Sequence, residues 1–277
     1  MTEACRRVVG LDIGTTSISG VLFDPHEGAV LATASRRNDA QVPRLPAGYH
    51  EQCPERILAV ALEVLRSLAK QAEEPVEGIA LTGQMHGILA IDPDFNPVTT
   101  LITWRDQRSA GCPDRVRNHA YASETGCFLH PGYGGLTLHH LLRTGRIPEN
   151  THKVVSIAGF IAARLTGRCS ADETFAASWG IWDVRSNAWH GTLLEELKIP
   201  AALLPEHVPS CRELGAVAHA NGLGLARGAM VYSPVGDNQA GVAGVLELST
   251  IDCNLYCATS GRLSAPLASY TFSPRAE

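Results

Sequence analysis

Three short loops hold the residues of this chain best suited to phosphate and a hydroxylated substrate. The first is Asp12-Ile13-Gly14-Thr15-Thr16-Ser17, a strand-like run followed by glycine and hydroxyls. Successive backbone N–H groups in such a hairpin form an anion-binding concavity, and Gly14 lets the backbone approach a phosphate. Asp12 can hold Mg²⁺ through water, since this ion keeps much of its hydration shell and needs few carboxylates. The same residues also suit a plain turn. The second loop is Gly236-Asp237-Asn238-Gln239, between an apolar run and a helical pattern. A carboxylate at a helix start is stabilised as an anion and can take a proton from an attacking hydroxyl. Asp237 could equally be only the cap of that helix. The third, Thr259-Ser260-Gly261, repeats the chemistry of the first. Two phosphate-type hairpins with an aspartate ahead of the second are far more specific than any one alone.

The bulk properties bound what these loops serve. The 277 residues are 45% hydrophobic and 18% charged, the balance of a globular protein with a core that needs no metal or disulfide support. A net charge of −5 argues against nucleic acid as a partner. The eight cysteines form no C-x-x-C pair, and no apolar run is long enough for a signal peptide or a membrane span. A cytoplasmic protein with reduced thiols, no membrane partner and a small-molecule substrate is expected.

The elements that must position the loops follow from the periodicities. Residues 7–12, 17–24 and 29–35 read as three strands joined by tight turns, an antiparallel meander. Residues 54–71 carry apolar side chains at helical spacing from Ile57 to Leu68, with Cys53 as cap and Pro54 at the first helical position. Residues 76–82 form a buried strand, and 87–92 and 98–103 two short ones. Residues 135–143 and 152–165 are helical patterns, the latter closed by Gly167. Residues 230–235 are another strand, with a helix from about Asn238, and 252–258 one more. This mixed α/β order is that of the actin-like, ribonuclease-H-like ATPase core.

Four segments in order carry a family resemblance. They are Gly10-Leu11-Asp12-Ile13-Gly14-Thr15-Thr16-Ser17, Gly83-Gln84-Met85-His86-Gly87, Thr103-Trp104-Arg105-Asp106-Gln107-Arg108 and Gly236-Asp237-Asn238-Gln239-Ala240. The chain resembles the FGGY carbohydrate kinases over nearly its whole length. Within the family, Phe175-Ala176-Ala177-Ser178-Trp179-Gly180 with Trp182-Asp183 resembles the sedoheptulokinase branch, while the Gln-Met-His-Gly loop is shared with the xylulose kinases.

The resemblance implies ATP-dependent phosphorylation of a ketose, with ATP and Mg²⁺ as cofactors. It makes Asp237 the catalytic base and Asp12 the magnesium carboxylate. Gly14, Thr15, Thr16 and Ser17 form the first phosphate loop and Thr259, Ser260 and Gly261 the second. Gln84, Met85, His86, Trp104, Tyr133 and Asp237 are the sugar-binding residues it implies. Hydrogen-bonding groups beside an aromatic platform suit a polyol with apolar C–H faces. Each also has a plainer reading: Met85 as core filler, Trp104 as a packed surface aromatic, Tyr133 as a loop residue. Asp106 and Arg108 read as a local ion pair shaping the loop, worth roughly 0–1 kcal/mol if exposed. Residues 1–246 are assigned to the sugar-binding domain and 247–277 to the beginning of a nucleotide domain. Members of the family carry that second domain in full, so little or no kinase activity is expected of these 277 residues alone. A non-catalytic sugar-binding fragment and a non-sugar ATPase on the same core remain alternatives. The unpaired edge of the 252–261 strand is a further expectation, as an aggregation hazard.

Overall fold

The structure, a computed structural model, describes residues 7–218, 222–247, 254–257, 261–265 and 269–273. The meander expected at the start is present as β1 (Val8–Ile13), β2 (Ser17–Asp24) and β3 (Ala29–Arg37), paired antiparallel. Alternation along β1 sends Val9, Leu11 and Ile13 into the core and leaves Gly10 and Asp12 on the opposite face. Helix α1 (Pro54–Ala69) begins with Pro54 after Cys53, as the sequence suggests, and covers that apolar face. Its Ile57, Val60, Ala61, Val64, Leu65 and Leu68 are buried. Burying six such side chains stabilises the pair of layers by about 10 kcal/mol as an upper figure, so packing rather than propensity holds the helix.

The chain then re-enters the sheet as β4 (Val76–Gly83), parallel to β1. Further on come α2 (Gly134–Arg143) and α3 (Ile157–Thr166), and then β5 (Glu213–Ala216), β6 (Leu225–Tyr232) and β7 (Val235–Gly236). The sheet order is β5-β6-β4-β1-β2-β3, with β7 also paired to β4, seven strands in all. Helix α3 packs its Phe160 and Ile161 into the same core as α1. A second core surrounds α2, where Leu136 and Leu138 meet Trp179, Ile181 and Leu193. Helix α4 (Asp237–Glu247) follows β7 directly.

Three boundaries differ from the sequence reading. The pattern over 152–165 is not one helix. Lys153–Val155 is a strand paired with Leu89–Ile91, and α3 starts only after Ser156, whose hydroxyl accepts the Gly159 N–H at 3.1 Å. Val154 and Val155 favour the extended form, and a serine cap ends it. The 230–235 strand starts earlier, at Leu225, and breaks at Ser233-Pro234, because proline offers no N–H to the ladder. Two short strands, Leu89–Ile91 and Leu101–Ile102, are trimmed relative to 87–92 and 98–103.

Of the 252–261 strand, Asn254–Cys257 pairs antiparallel with Gly261–Ser264. Thr259 and Ser260 lie outside the described residues. Among the described residues no helix is long and apolar enough to cross a membrane.

Candidate active site

The parallel registers bring three loops to one end of the sheet. Ile13 of β1 lies beside Gly83 of β4, and Gly83 beside Gly236 of β7. The residues that follow, Gly14, Gln84 and Asp237, therefore leave the carboxyl ends of neighbouring strands together. Open α/β sheets bind ligands in such crevices.

Beyond β4 the chain turns sharply at His86, which is held at φ 67°, a left-handed conformation a non-glycine residue adopts only under constraint. Its backbone N–H donates to Ser178 Oγ at 3.2 Å, and its Nδ1 lies 2.6 Å from Ser178 O. A carbonyl can only accept, so Nδ1 carries the proton and Nε2 is the acceptor of the neutral ring. The imidazole stacks on Tyr133, ring centroids 4.5 Å apart and nearly parallel. Together with Met85, Thr174, Asn238 and Gln239 they line a cavity of about 350 Å³. Gln239 Oε1 is buried there without a hydrogen-bond partner, an acceptor that a ligand hydroxyl would satisfy.

Asp237 stands beside this cavity, exposed, as the first residue of α4, with Oδ1 accepting the Asn238 N–H at 2.7 Å. The approach is close because Gly236 has no side chain: a Cβ there would lie 2.8 Å from Met85 Sδ. Behind it the Gly236 N–H donates to Thr174 Oγ1 at 2.7 Å. The Thr174 hydroxyl in turn lies 2.9 and 2.8 Å from the two oxygens of Asp172. Asp172 is fully buried and caps a short helix, accepting the Phe175 N–H at 2.9 Å and the Ser210 hydroxyl at 2.6 Å. Burial pushes its carboxyl above the ordinary value despite those bonds. Asp172 and Thr174 anchor the strand end that presents Asp237, and sequence reasoning missed both. An aspartate just before a helical run is the capping signal that could have found the first.

The first hairpin divides its hydroxyls. Thr16 and Ser17 are exposed. Thr15 is wired inward: its Oγ1 donates to Gln84 Oε1 at 3.2 Å and accepts the Trp104 indole N–H at 3.0 Å. The Gln84 amide donates to Gln52 Oε1 at 3.0 Å, and the Gln52 amide returns to Thr15 O at 2.9 Å. Gln84, 2% exposed, thus sits behind the cavity and not on its wall. The same wiring commits the Thr15 hydroxyl to Gln84 and Trp104. Trp104 is 48% exposed, between Thr15 and the turn at Gly132.

Asp106 and Arg108 are more than a surface pair. Arg108 bridges both Asp106 oxygens at 2.8 Å and reaches Glu51 at 2.5 Å, with the arginine and aspartate side chains 6% and 0% exposed. Burial opposes the arginine's charge, but the two carboxylate partners outweigh it and hold its pKa above the ordinary value.

For Mg²⁺ the fit rests on Asp12. It is solvent-exposed, yet the surrounding concavity partly desolvates it and pushes its carboxyl above the ordinary value. Among the described residues no group of three or more acidic, histidine or cysteine side chains could form a closed metal cage. One carboxylate beside exposed hydroxyls fits an ion that keeps its waters and shares phosphate oxygens.

The fold is that of the N-terminal half of an actin-like sugar kinase, and this chain spans little more than half the length of the following two solved neighbours. Xylulose kinase from Lactobacillus acidophilus superposes with a TM-score of 0.88 at 25% identity, over 97% of this chain and 56% of that one. Gluconate kinase from the same organism gives 0.85 at 25%, over 94% and 54%. The chain belongs to the FGGY family of carbohydrate kinases, whose N-terminal domain matches residues 7–244. Among curated relatives it is 30% identical to human sedoheptulokinase, over 94% of this chain and 59% of that protein. It is 25% identical to xylulose kinase of Lactococcus lactis, over 93% and 53%.

Proposed function

We propose that this chain supplies the sugar-binding half and the catalytic base of a kinase that phosphorylates the terminal hydroxyl of a ketose, sedoheptulose before xylulose. The observation that carries this reading is the cavity where the His86–Tyr133 stack and the unpartnered Gln239 Oε1 converge beside Asp237. An aromatic face for sugar C–H groups, a histidine acceptor and an amide acceptor for hydroxyls match a polyol. The likeness to human sedoheptulokinase supports the seven-carbon sugar as first choice, and the shared Gln-Met-His-Gly loop keeps xylulose second.

ATP with Mg²⁺ supplies the phosphoryl group when bound, near Asp12, Gly14, Thr15, Thr16 and Ser17. The chain's own work is to orient the sugar against His86 and Tyr133 and to take the hydroxyl proton on Asp237. The boundary near residue 246 and the second phosphate loop at Thr259, Ser260 and Gly261 belong to the same proposal.

Titration calorimetry of the purified chain with sedoheptulose, xylulose, ribulose and glycerol tests the reading. Saturable ketose binding that is lost in both His86→Ala and Tyr133→Ala, with no ATP turnover by the chain alone, is expected. Absence of ketose binding by the folded chain would overturn it.

A further inference from the structure

A second cavity of about 830 Å³ lies away from the sugar pocket, between the segment around Arg115, the C-terminal half of α2 and the Gly191–Leu197 helix. Its charge balance is unlike that of the chain as a whole. Arg115, Arg143 and Lys198 all border it, and none of them has an ion pair among the described residues. The one carboxylate at its wall, Glu196, already accepts the Tyr121 hydroxyl at 2.7 Å. The remaining wall is apolar, built from leucines, a valine and a proline.

At this cavity also sits His119, 5% exposed. Its Nδ1 accepts the Tyr121 backbone N–H at 3.2 Å, and burial, with His190 adding to it, holds the ring below the ordinary histidine value and so neutral. The proton is therefore on Nε2, and Nε2 is buried with no hydrogen-bond partner. A buried donor without an acceptor is rare in a folded protein, and a water, an ion or a ligand atom can satisfy it. His139, on the same wall, donates Nδ1–H to Leu197 O at 2.8 Å and keeps its other nitrogen as an acceptor.

We propose that this cavity is a binding site for a small organic phosphate, separate from the kinase centre. The three cations neutralise the phosphate, His119 Nε2–H donates to one of its oxygens, and the leucine wall covers the organic part. Cations alone would hold inorganic phosphate as well as an ester. The apolar wall makes the ester the better ligand.

The test uses the purified 277-residue chain, with phenyl phosphate and inorganic phosphate as probes, followed by calorimetry and by the ¹⁵N resonances of the histidine rings. Phenyl phosphate is expected to bind saturably and to move the His119 Nε2 resonance. Inorganic phosphate should bind at least about tenfold more weakly. Arg143 and Lys198 are exposed, so Arg143→Gln with Lys198→Gln should fold as the parent does and weaken phenyl phosphate at least about tenfold. A His119 resonance that stays in place at saturating probe, or affinity unchanged in the double variant, would overturn the proposal. None of these readouts involves Asp237, His86 or Tyr133, so the result is independent of the kinase reading.

Discussion

Replacing Arg108 by alanine would remove the central member of a buried charge cluster. Asp106 is fully buried and Glu51 partly buried, and both would lose their cation. Breaking a buried pair by deleting one partner costs about 3–5 kcal/mol, because the remaining charge is left desolvated. Asp106 keeps two donors, the His50 N–H at 2.7 Å and the backbone N–H of residue 108 at 2.9 Å, which places the loss at the lower end. The guanidinium also lies 4.3 Å from the Tyr49 ring centroid, a contact worth about 0.5–1 kcal/mol. The sum is about 3–4 kcal/mol. At about 2–4 °C per kcal/mol for a chain of this size, the melting point should fall by about 6–16 °C. Urea unfolding at pH 7, with the slope unchanged, gives the same quantity from the midpoint. A loss below about 1 kcal/mol, the range of an exposed ion pair, would refute the buried cluster. Pairing Arg108→Met with Asp106→Asn separates the two contributions. If the pair is buried as described, the double variant should be more stable than Arg108→Met alone, since the fully buried Asp106 no longer leaves an orphan carboxylate and only Glu51 does.

Other perturbations follow from the same geometry. Asp237→Asn, in a version joined to the second half of a relative, should keep sugar affinity and lose about 10²–10⁴-fold in kcat, and turnover near the parent level would remove Asp237 as base. Gly132→Ala should cost more than about 2 kcal/mol and weaken sugar binding. Gly132 has φ 91°, and a Cβ there would lie 2.1 Å from the Trp104 carbonyl oxygen, so unchanged urea midpoints would show that the turn is not built this way. Asp24 accepts the Glu27 and His26 N–H groups and the Arg7 guanidinium, which hold its carboxyl below the ordinary value, the Glu27 bond foremost. Its stabilisation is present above the ordinary value of 3.8 and is lost as the pH falls through the depressed native value. Asp24→Asn should therefore lower the urea midpoint at pH 7 and approach the parent at pH 3, and an equal gap at both would contradict the assignment.

What could be read from the sequence was what is written in consecutive residues. The phosphate hairpin, the Gln-Met-His-Gly loop and the Gly-Asp segment each lie at one strand end, so composition and order were enough to find them. The linkages between them were not legible. Thr15, Gln52, Gln84 and Trp104 form one hydrogen-bonded chain, yet they come from four segments as much as 89 residues apart. For that reason the support that Gln84 gives the first hairpin could not be read from its own segment. The Ala-Ser-Trp-Gly segment drew notice as a mark of subfamily. Its tryptophan is 1% exposed core, with its carbonyl accepting the Gly135 N–H at 3.0 Å, and it is Ser178 that reaches His86. Residues 152–165 misled because two valines satisfy either periodicity, and only the strand Leu89–Ile91 decides between them.

The register of three parallel strands is what turns separate motifs into one crevice. Side chains in a strand alternate with a period of two, so a one-residue slip of β7 against β4 would carry Asp237 away from the level of Gln84 and reverse its face. Glycine fixes that register at the β4–β1 contact, and at Gly236 it leaves room for the Met85 and Gln239 side chains. A Cβ on Gly83 would lie 2.9 Å from Ile13 O, and one on Gly236 would lie 2.8 Å from Met85 Sδ. Gly83 allows the β1 backbone to come closer than any side chain would permit, and Gly236 lets the Met85 thioether close on the strand end. The Gly-Gln and Gly-Asp pairs at these two strand ends thus have a division of labour. The glycine sets the depth of the strand end, and the residue after it takes its place at the base of the crevice, as a strut in one case and as the proposed base in the other. Adding a methyl at Gly236 would push Asp237 outward without touching its charge. Catalysis in the joined protein should then fall although the Asp237 side chain is unchanged, which tests position as the source of its effect.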